Sequence, residues 1–326
     1  MGALTDVAGL LVGHATDPVG LTGVTVVLCP AGAAAGVALR GPATGVFGQD
    51  VLDPLHVAER IHAVVLAGGS AFGLEACFGV MAHLEAQGVG FRTAAAVVPI
   101  VVGAILYDLG LGDARARPDR GMGARAAVAA SAGPVAEGSV GAGTGATVGK
   151  TFGLRRAMKG GVGTASRRVL AATVGALVAV NAVGDVRDPE TGGLLAGARD
   201  APDGRRLVDA QRAIRAGAVR LGFAPTHTTI GLVATDAALT KAEAARLAAL
   251  AHAGLARTLS PPHLSVDGDT LFALSTGTVA GPDVPPFDAL GLAAADAVAE
   301  AIVRGIRAAT ALGGLPAACD LSAGQA

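Results

Sequence analysis

Tryptophan is absent, tyrosine occurs once, and aromatic residues make up 3% of the 326-residue chain. An interior without large rings has to be built from small and branched aliphatics, and 49 glycines let backbones approach one another closely. Charge is scarce as well: 16% of residues are charged against 52% hydrophobic, with a mean hydropathy of +0.55. That balance excludes disorder over most of the chain. No Lys/Arg run is long enough to follow a phosphate backbone and the net charge is −1, so nucleic acid is not an expected partner. Long apolar runs are missing too. The longest, residues 94–107, is broken by Pro99 and Gly103 and falls short of the roughly 20 residues a membrane helix needs. The start, Met1-Gly2-Ala3-Leu4-Thr5-Asp6, carries no secretion or myristoylation signal. The expectation is a soluble, cytoplasmic protein with no membrane partner.

Cysteine is limited to Cys29, Cys77 and Cys319, odd in number and without CxxC spacing, which reads as buried thiols. The histidines show no ligand spacing and no HExxH, so no metal site is expected.

What is present is a mixture of two patterns. Val- and Leu-rich runs at 23–29, 35–39, 63–67, 169–180, 228–234 and 271–274 read as buried strands. Ala-rich segments at 72–87, 123–132, 207–221, 240–258 and 287–311 read as helices, and Thr240-Lys241-Ala242-Glu243 is a capping box. The class is therefore α/β or α+β. The polar stretch 184–206 reads as a surface excursion or linker, and a soft segment at 222–227 leads into the strand that begins at Thr228.

Two familiar motifs fail on inspection. The glycine-rich segment 141–151 lacks the first glycine of a phosphate loop, because that position is Thr144, and the dinucleotide fingerprint misses at Ala146 or Val148. Around Ser70 the nucleophile elbow has Phe72 where glycine is required, so Ser70 reads as a helix cap. Lysine stands only at Lys150, Lys159 and Lys241, and Lys150 in its glycine-rich, apolar setting is either snorkelling or chemical. Asp267-Gly268-Asp269 is either a turn or a pair of orienting carboxylates.

Several segments in order resemble one family. They are Thr5-Asp6-Val7-Ala8-Gly9, Val12-Gly13-His14-Ala15-Thr16, Gly68-Gly69-Ser70-Ala71-Phe72-Gly73-Leu74, residues 137–150, Met158-Lys159-Gly160-Gly161, residues 178–185 and residues 228–236. The family is that of self-processing aminopeptidases and amidases, comprising the DmpA-type L-aminopeptidase/D-esterases, β-aminopeptidases and nylon-oligomer hydrolases of the NylC type. The resemblance spans nearly the whole chain. It implies a four-layer α/β/β/α sandwich of the N-terminal-nucleophile type, with residues 1–326 forming a single catalytic domain that cuts itself between His227 and Thr228. An α chain, 1–227, and a β chain, 228–326, would stay associated, commonly in tetramers of such pairs. By the same resemblance Thr228 is the nucleophile and Lys150 hydrogen-bonds it. Asn181 donates to the oxyanion, and Tyr107 lines the substrate pocket. Asp267 and Asp269, 39 and 41 residues beyond Thr228, orient its amine and hydroxyl. Thr228 with two aspartates matches the nylon-oligomer-hydrolase branch, whereas the aminopeptidase branch has a Ser nucleophile with a Ser and Glu pair. His227 departs from the family, which has Asn or Gly before the cut. No cofactor is implied.

The chemistry stands without the family. A threonine hydroxyl needs a base within reach, and a freed α-amino group, with an ordinary pKa of about 7.7 to 8.0, supplies one on the same residue. The expected activity is hydrolysis of a small linear amide, peptide or oligoamide through an acyl-enzyme. The alternatives are an acyl transferase of the ornithine acetyltransferase type, or an unprocessed, silent relative.

Overall fold

The strand Ala172–Val180 is buried at all of its positions, which a sheet covered on one face does not allow. Its alternate side chains divide between two cores: Val174, Ala176, Val178 and Val180 enter one, Leu177 and Ala179 another. A third core lies elsewhere, around Val24, Val26, Val65 and Cys77. Three cores require four layers, and the strands fall between them accordingly. A computed structural model describes residues 2–219 and 227–322.

The main strands are β1 (Leu11–Asp17), β2 (Thr22–Leu39), β3 (Ile61–Ala67), β4 (Val101–Ile105), β5 (Gly161–Val169), β6 (Ala172–Val180), β7 (Ile230–Ala237) and β8 (Thr270–Val279). With the short strand Val46–Phe47 they form a nine-stranded sheet in the order β5-β6-β7-β8-β2-β3-β4-(Val46–Phe47), with β1 on β2. The pairs β7–β8 and β3–β4 are parallel and the others antiparallel. β2 joins both halves: near its start it pairs with β3, and near its end with β8, with a register shift between Leu28 and Ala33. The two halves face one another across the middle core, where Phe272, Leu177 and Leu232 meet Val27, Val64 and Leu66.

Helices cover the outer faces. α1 (Ala76–Ala86) and α2 (Arg120–Val128) close the β1–β4 half; α4 (Lys241–Thr258) and α5 (Phe287–Ala308) close the β5–β8 half. Contact is close because glycine is placed at the crossings: a Cβ at Gly163 on β5 would stand 2.0 Å from Ala301 O on α5. α4 carries the expected capping box, Thr240 Oγ1 accepting from Glu243 N–H while the Glu243 carboxylate accepts from Thr240 N–H.

Several expectations need correction. Residues 23–29 and 35–39 are one strand bent at a bulge, and 169–180 is two strands with Leu170 in the turn at φ +50. The helix expected at 207–221 is the short α3 (Ala210–Arg215), which stops ahead of Gly217 at φ +67; its expected end and the soft segment at 222–226 lie outside the described residues. Ser70 does not cap a helix through its side chain; Gly69 holds that position at φ +78. The stretch 184–206 is no linker: its strands Asp185–Arg187 and Leu194–Ala196 form a small sheet with Leu259–Ser260. Buried Asp185 anchors it by accepting from Ala198 N–H at 3.0 Å and Ala210 N–H at 2.7 Å. Cys29 and Cys77 are buried as expected, while Cys319 is exposed. No described helix is long and apolar enough to cross a membrane.

Candidate active site

The register of three neighbouring strands brings the candidate residues together. Ala179 pairs with Ile230 across the antiparallel β6–β7 ladder, and Ile230 with Thr270 across the parallel β7–β8 ladder. The end of β6 therefore lies beside the starts of β7 and β8. Asn181, Thr228, Asp267 and Asp269 extend from those three ends to one edge of the sheet, where His227 and Asp267 form an isolated parallel bridge.

Thr228 is buried, with 4% of its surface exposed. Its N–H donates to Asn181 O at 3.1 Å, and its hydroxyl lies 2.5 Å from the His227 carbonyl oxygen. That same oxygen accepts from Gly268 N–H at 2.9 Å. A carbonyl with a main-chain donor on its oxygen and a hydroxyl beside it is polarised toward addition at carbon. Gly268 is needed there for a steric reason as well, since a Cβ would meet Ala43 O at 2.3 Å and Thr228 Oγ1 at 2.8 Å.

Asn181 is the hub between loops. Its Oδ1 accepts from Thr147 N–H at 3.0 Å and Lys150 Nζ at 2.7 Å, and Lys150 Nζ also donates to Asn181 O at 3.0 Å. Because Thr147 N–H is a donor, the amide orientation is determined, and Nδ2 donates to Tyr107 O at 3.2 Å. Tyr107, half-buried at the end of β4, meets this group through its main chain. The sequence expected Asn181 Nδ2 on an oxyanion and Lys150 on the nucleophile; the bonds described here go from Nδ2 to Tyr107 and from Lys150 to Asn181.

The two aspartates are both buried but differently held. Asp269 accepts from Thr229 N–H at 2.8 Å on one oxygen and from His263 N–H and Nδ1 at 3.2 and 2.8 Å on the other. Asp267 accepts from Leu264 N–H at 2.8 Å, while its Oδ1 has no hydrogen-bond partner among the described residues. In the uncut chain the bonds of Asp267 and Asp269 go to Leu264, Thr229 and His263, beside Thr228. Burial, then the neighbouring Asp269 charge, push Asp267 well above the usual carboxylate range.

Burial also pulls the Lys150 ammonium down to about 7, Lys159 lowering it further and Asp267 and Asp108 opposing. Lys159, fully buried, is likewise brought to about 7 by burial; its Nζ donates to Thr144 O at 2.7 Å and Ala146 O at 2.6 Å. It thus shapes the loop that presents Thr147 to Asn181. Burial, aided by the Lys150 charge, lowers the His227 imidazole to about 3, so it is neutral at the cut site. Among the described residues no three His, Cys, Asp or Glu side chains group as metal ligands.

Sequence reasoning missed Gly268, His263, Thr147 and Lys159. Gly268 was visible inside Asp-Gly-Asp, but as a turn residue; Lys159 was visible as one of the rare lysines inside an apolar run. His263 carries no local signal, because its partner is set by the loop ahead of β8.

Residues 2–318 match peptidase family S58. An uncharacterized aminopeptidase of Mycobacterium tuberculosis is 42% identical over 351 aligned positions, covering 99% of each chain. A 6-aminohexanoate-oligomer endohydrolase of Kocuria sp. is 34% identical over 283 positions, covering 86% of this chain and 76% of the relative. Among solved structures, the L-aminopeptidase D-Ala-esterase/amidase of Ochrobactrum anthropi, a variant of the Ntn hydrolase fold, superposes with a TM-score of 0.73 at 25% identity, covering 97% of this chain and 88% of that one. A β-aminopeptidase of Burkholderia sp. superposes at 0.69 with 27% identity, covering 99% and 92%. The resemblance read from the sequence, the mixed α/β architecture and the hydrolase class are borne out together. The chain belongs to peptidase family S58 and is a hydrolase of amide bonds.

Proposed function

We propose that this hydrolase matures by cutting itself between His227 and Thr228 and then uses Thr228 as its nucleophile. One observation carries the reading: the His227 carbonyl is held by Gly268 N–H with the Thr228 hydroxyl beside it. In the precursor, Thr228 Oγ adds to the His227 carbonyl carbon and its proton passes to a nearby base. The C–N bond breaks as the Thr228 nitrogen takes a proton, leaving a free Thr228 amine and an ester on Oγ that water hydrolyses to the His227 carboxylate and the Thr228 hydroxyl. Lys150, held near neutrality by burial, supports the first proton transfer. Asp267, raised by burial and then by the neighbouring Asp269 charge, supports protonation of the leaving nitrogen.

In the mature enzyme the new α-amine is the base for Oγ. Oγ attacks the substrate carbonyl, the substrate amine departs with a proton, and water releases the acyl group from Thr228. Asn181 and Tyr107 serve the oxyanion and the substrate pocket in this reading. The substrate is a small peptide with a free amine or a linear amide such as a 6-aminohexanoate oligomer. Thr228 followed by Asp267 and Asp269 favours the oligoamide branch.

The chains 1–227 and 228–326 remain one unit of a single catalytic domain, because β7 pairs with β6, and β8 with β2, across the cut. Separating them would break two ladders. A homo-oligomer, a tetramer of such pairs in the cytoplasm, completes the proposal.

The test is the denatured intact mass of freshly purified protein. Two species, the smaller starting at Thr228, are expected, with turnover of amino-terminal amides or 6-aminohexanoate oligomers. Thr228→Ala should give one uncut, inactive chain; a cleaved or active Thr228→Ala protein overturns the assignment.

A further inference from the structure

We propose that His263 is a positioning residue for this site: it clamps the Asp269 carboxylate, which in turn fixes the peptide unit directly after Thr228. The proposal rests on the assignment of Thr228 made above. Asp269, 2% exposed, is divided between two tasks. Its Oδ1 accepts from Thr229 N–H at 2.8 Å, so it holds the backbone one residue past the nucleophile. Its Oδ2 is occupied wholly from His263, by Nδ1 at 2.8 Å and by the main-chain N–H at 3.2 Å.

This bidentate grip comes at a backbone cost. His263 sits at φ +54, in the left-handed region that residues with a Cβ rarely adopt. Such conformations persist where the surroundings over-determine them, and they cluster where geometry serves chemistry. The surroundings here are specific. The His252 ring on α4 packs edge-on against the His263 ring with centroids 5.1 Å apart, and His252 Nε2 lies 3.0 Å from Ala38 O on β2. His263 is therefore wedged between a helix and the carboxylate, with Asp269 unable to rotate away from Thr229. Loss of the Nδ1 donor leaves Oδ2 with the longer main-chain N–H bond alone, at 3.2 Å, and so loosens Oδ1 on Thr229 N–H. The Thr228 hydroxyl, whose placement on the His227 carbonyl depends on that backbone, then samples unproductive positions.

Two substitutions separate this role from folding. Asparagine and glycine both accept a left-handed backbone, but only asparagine presents an N–H donor near the position of Nδ1. His263→Asn is expected to self-cleave and turn over amide substrate within about threefold of wild type. His263→Gly is expected to lower the self-cleavage rate and kcat on the order of tenfold to a hundredfold, with KM within about twofold. Wild-type rates in His263→Gly, or equal slowing in both variants, overturn the proposal. The wild-type enzyme gives an independent readout: the His263 Nδ1 proton should be slow to exchange by NMR, and rapid exchange also overturns it. Failure of the Thr228 reading shows separately, as a wild-type chain that never cuts.

Discussion

Gly268 N–H donates to the carbonyl oxygen of His227 at 2.9 Å, across the bridge that His227 forms with Asp267. Sheet pairing thereby supplies an electrophilic clamp on one peptide bond in the chain. A main-chain donor cannot be mutated away, but its approach can be disturbed. In Gly268→Ala the new Cβ would stand 2.3 Å from Ala43 O and 2.8 Å from Thr228 Oγ1. Self-cleavage followed by mass against time should slow by about a hundredfold, the scale of one lost oxyanion donor. An alanine variant cutting at the wild-type rate would show that this contact does not matter to the cut.

The Lys150 ammonium is pulled down to about 7 by burial. Above that value the amine is neutral and accepts a proton, so the self-cleavage rate should rise as pH increases through about 7, and fall again at higher pH where Asp267 loses the proton it supplies. Lys150→Arg stays cationic at these pH values and should lose the rise, together with most of the rate. A flat profile in the wild-type chain would contradict the role of Lys150.

Lys159 ties Thr144 O and Ala146 O together from a fully buried position close to Asp108. Lys159→Met leaves Thr144 O without its side-chain donor and Ala146 O with Gly160 N–H alone, and removes the cation whose charge Asp108 feels, a loss on the order of 1–3 kcal/mol. Thermal denaturation should show a marked drop in Tm. Because the Lys159 charge also presses Lys150 downward, the rise in the pH–rate profile should move to higher pH in this variant. A shift the other way would sink the coupling.

His14 and His252 are both lowered to about 4, chiefly by burial. The folded state keeps them neutral while the unfolded chain takes up protons below about 6.5. Stability should therefore be undiminished by them above pH 6.5 and fall between 6.5 and about 4, by on the order of 3 kcal/mol for each. Urea unfolding at pH 7 and pH 5 measures this, and His252→Gln should remove part of the difference.

Burial raises the Cys29 and Cys77 thiols to about 12, whereas Cys319 is exposed. Iodoacetamide at neutral pH should label Cys319 on the native protein and all three cysteines once it is unfolded. Native labelling of Cys29 would mean that the middle core opens.

Much of this was legible in the chain. The helices α4 and α5, the capping box at Thr240, and the strands around 63–67, 228–234 and 271–274 follow from local pattern. Strand ends were less legible: β2 runs through Pro30 to Ala34 because the β8 and β3 ladders hold it on either side of a bulge. β1, β4 and β5 were not read as strands, since their Gly, Ala and Thr content gives weak periodicity until partners bury them. Ser70 was misread for a related reason. A cap depends on the conformation of the residue before it, and Gly69 at φ +78 takes that place.

The sequence by itself determined the ingredients: an aliphatic interior with few rings, a family pattern in order along the chain, and the candidates Thr228, Lys150, Asn181, Asp267 and Asp269. Which atoms face which was decided only by the tertiary structure. Asn181 turns its amide to Tyr107, Asp269 accepts from Thr229 on one oxygen and from His263 on the other, and Gly268 meets His227. The physical reason is that hydrogen bonds between residues far apart in sequence depend on strand register and loop conformation. Register here is set by three cores acting at once, which no local stretch of the chain encodes.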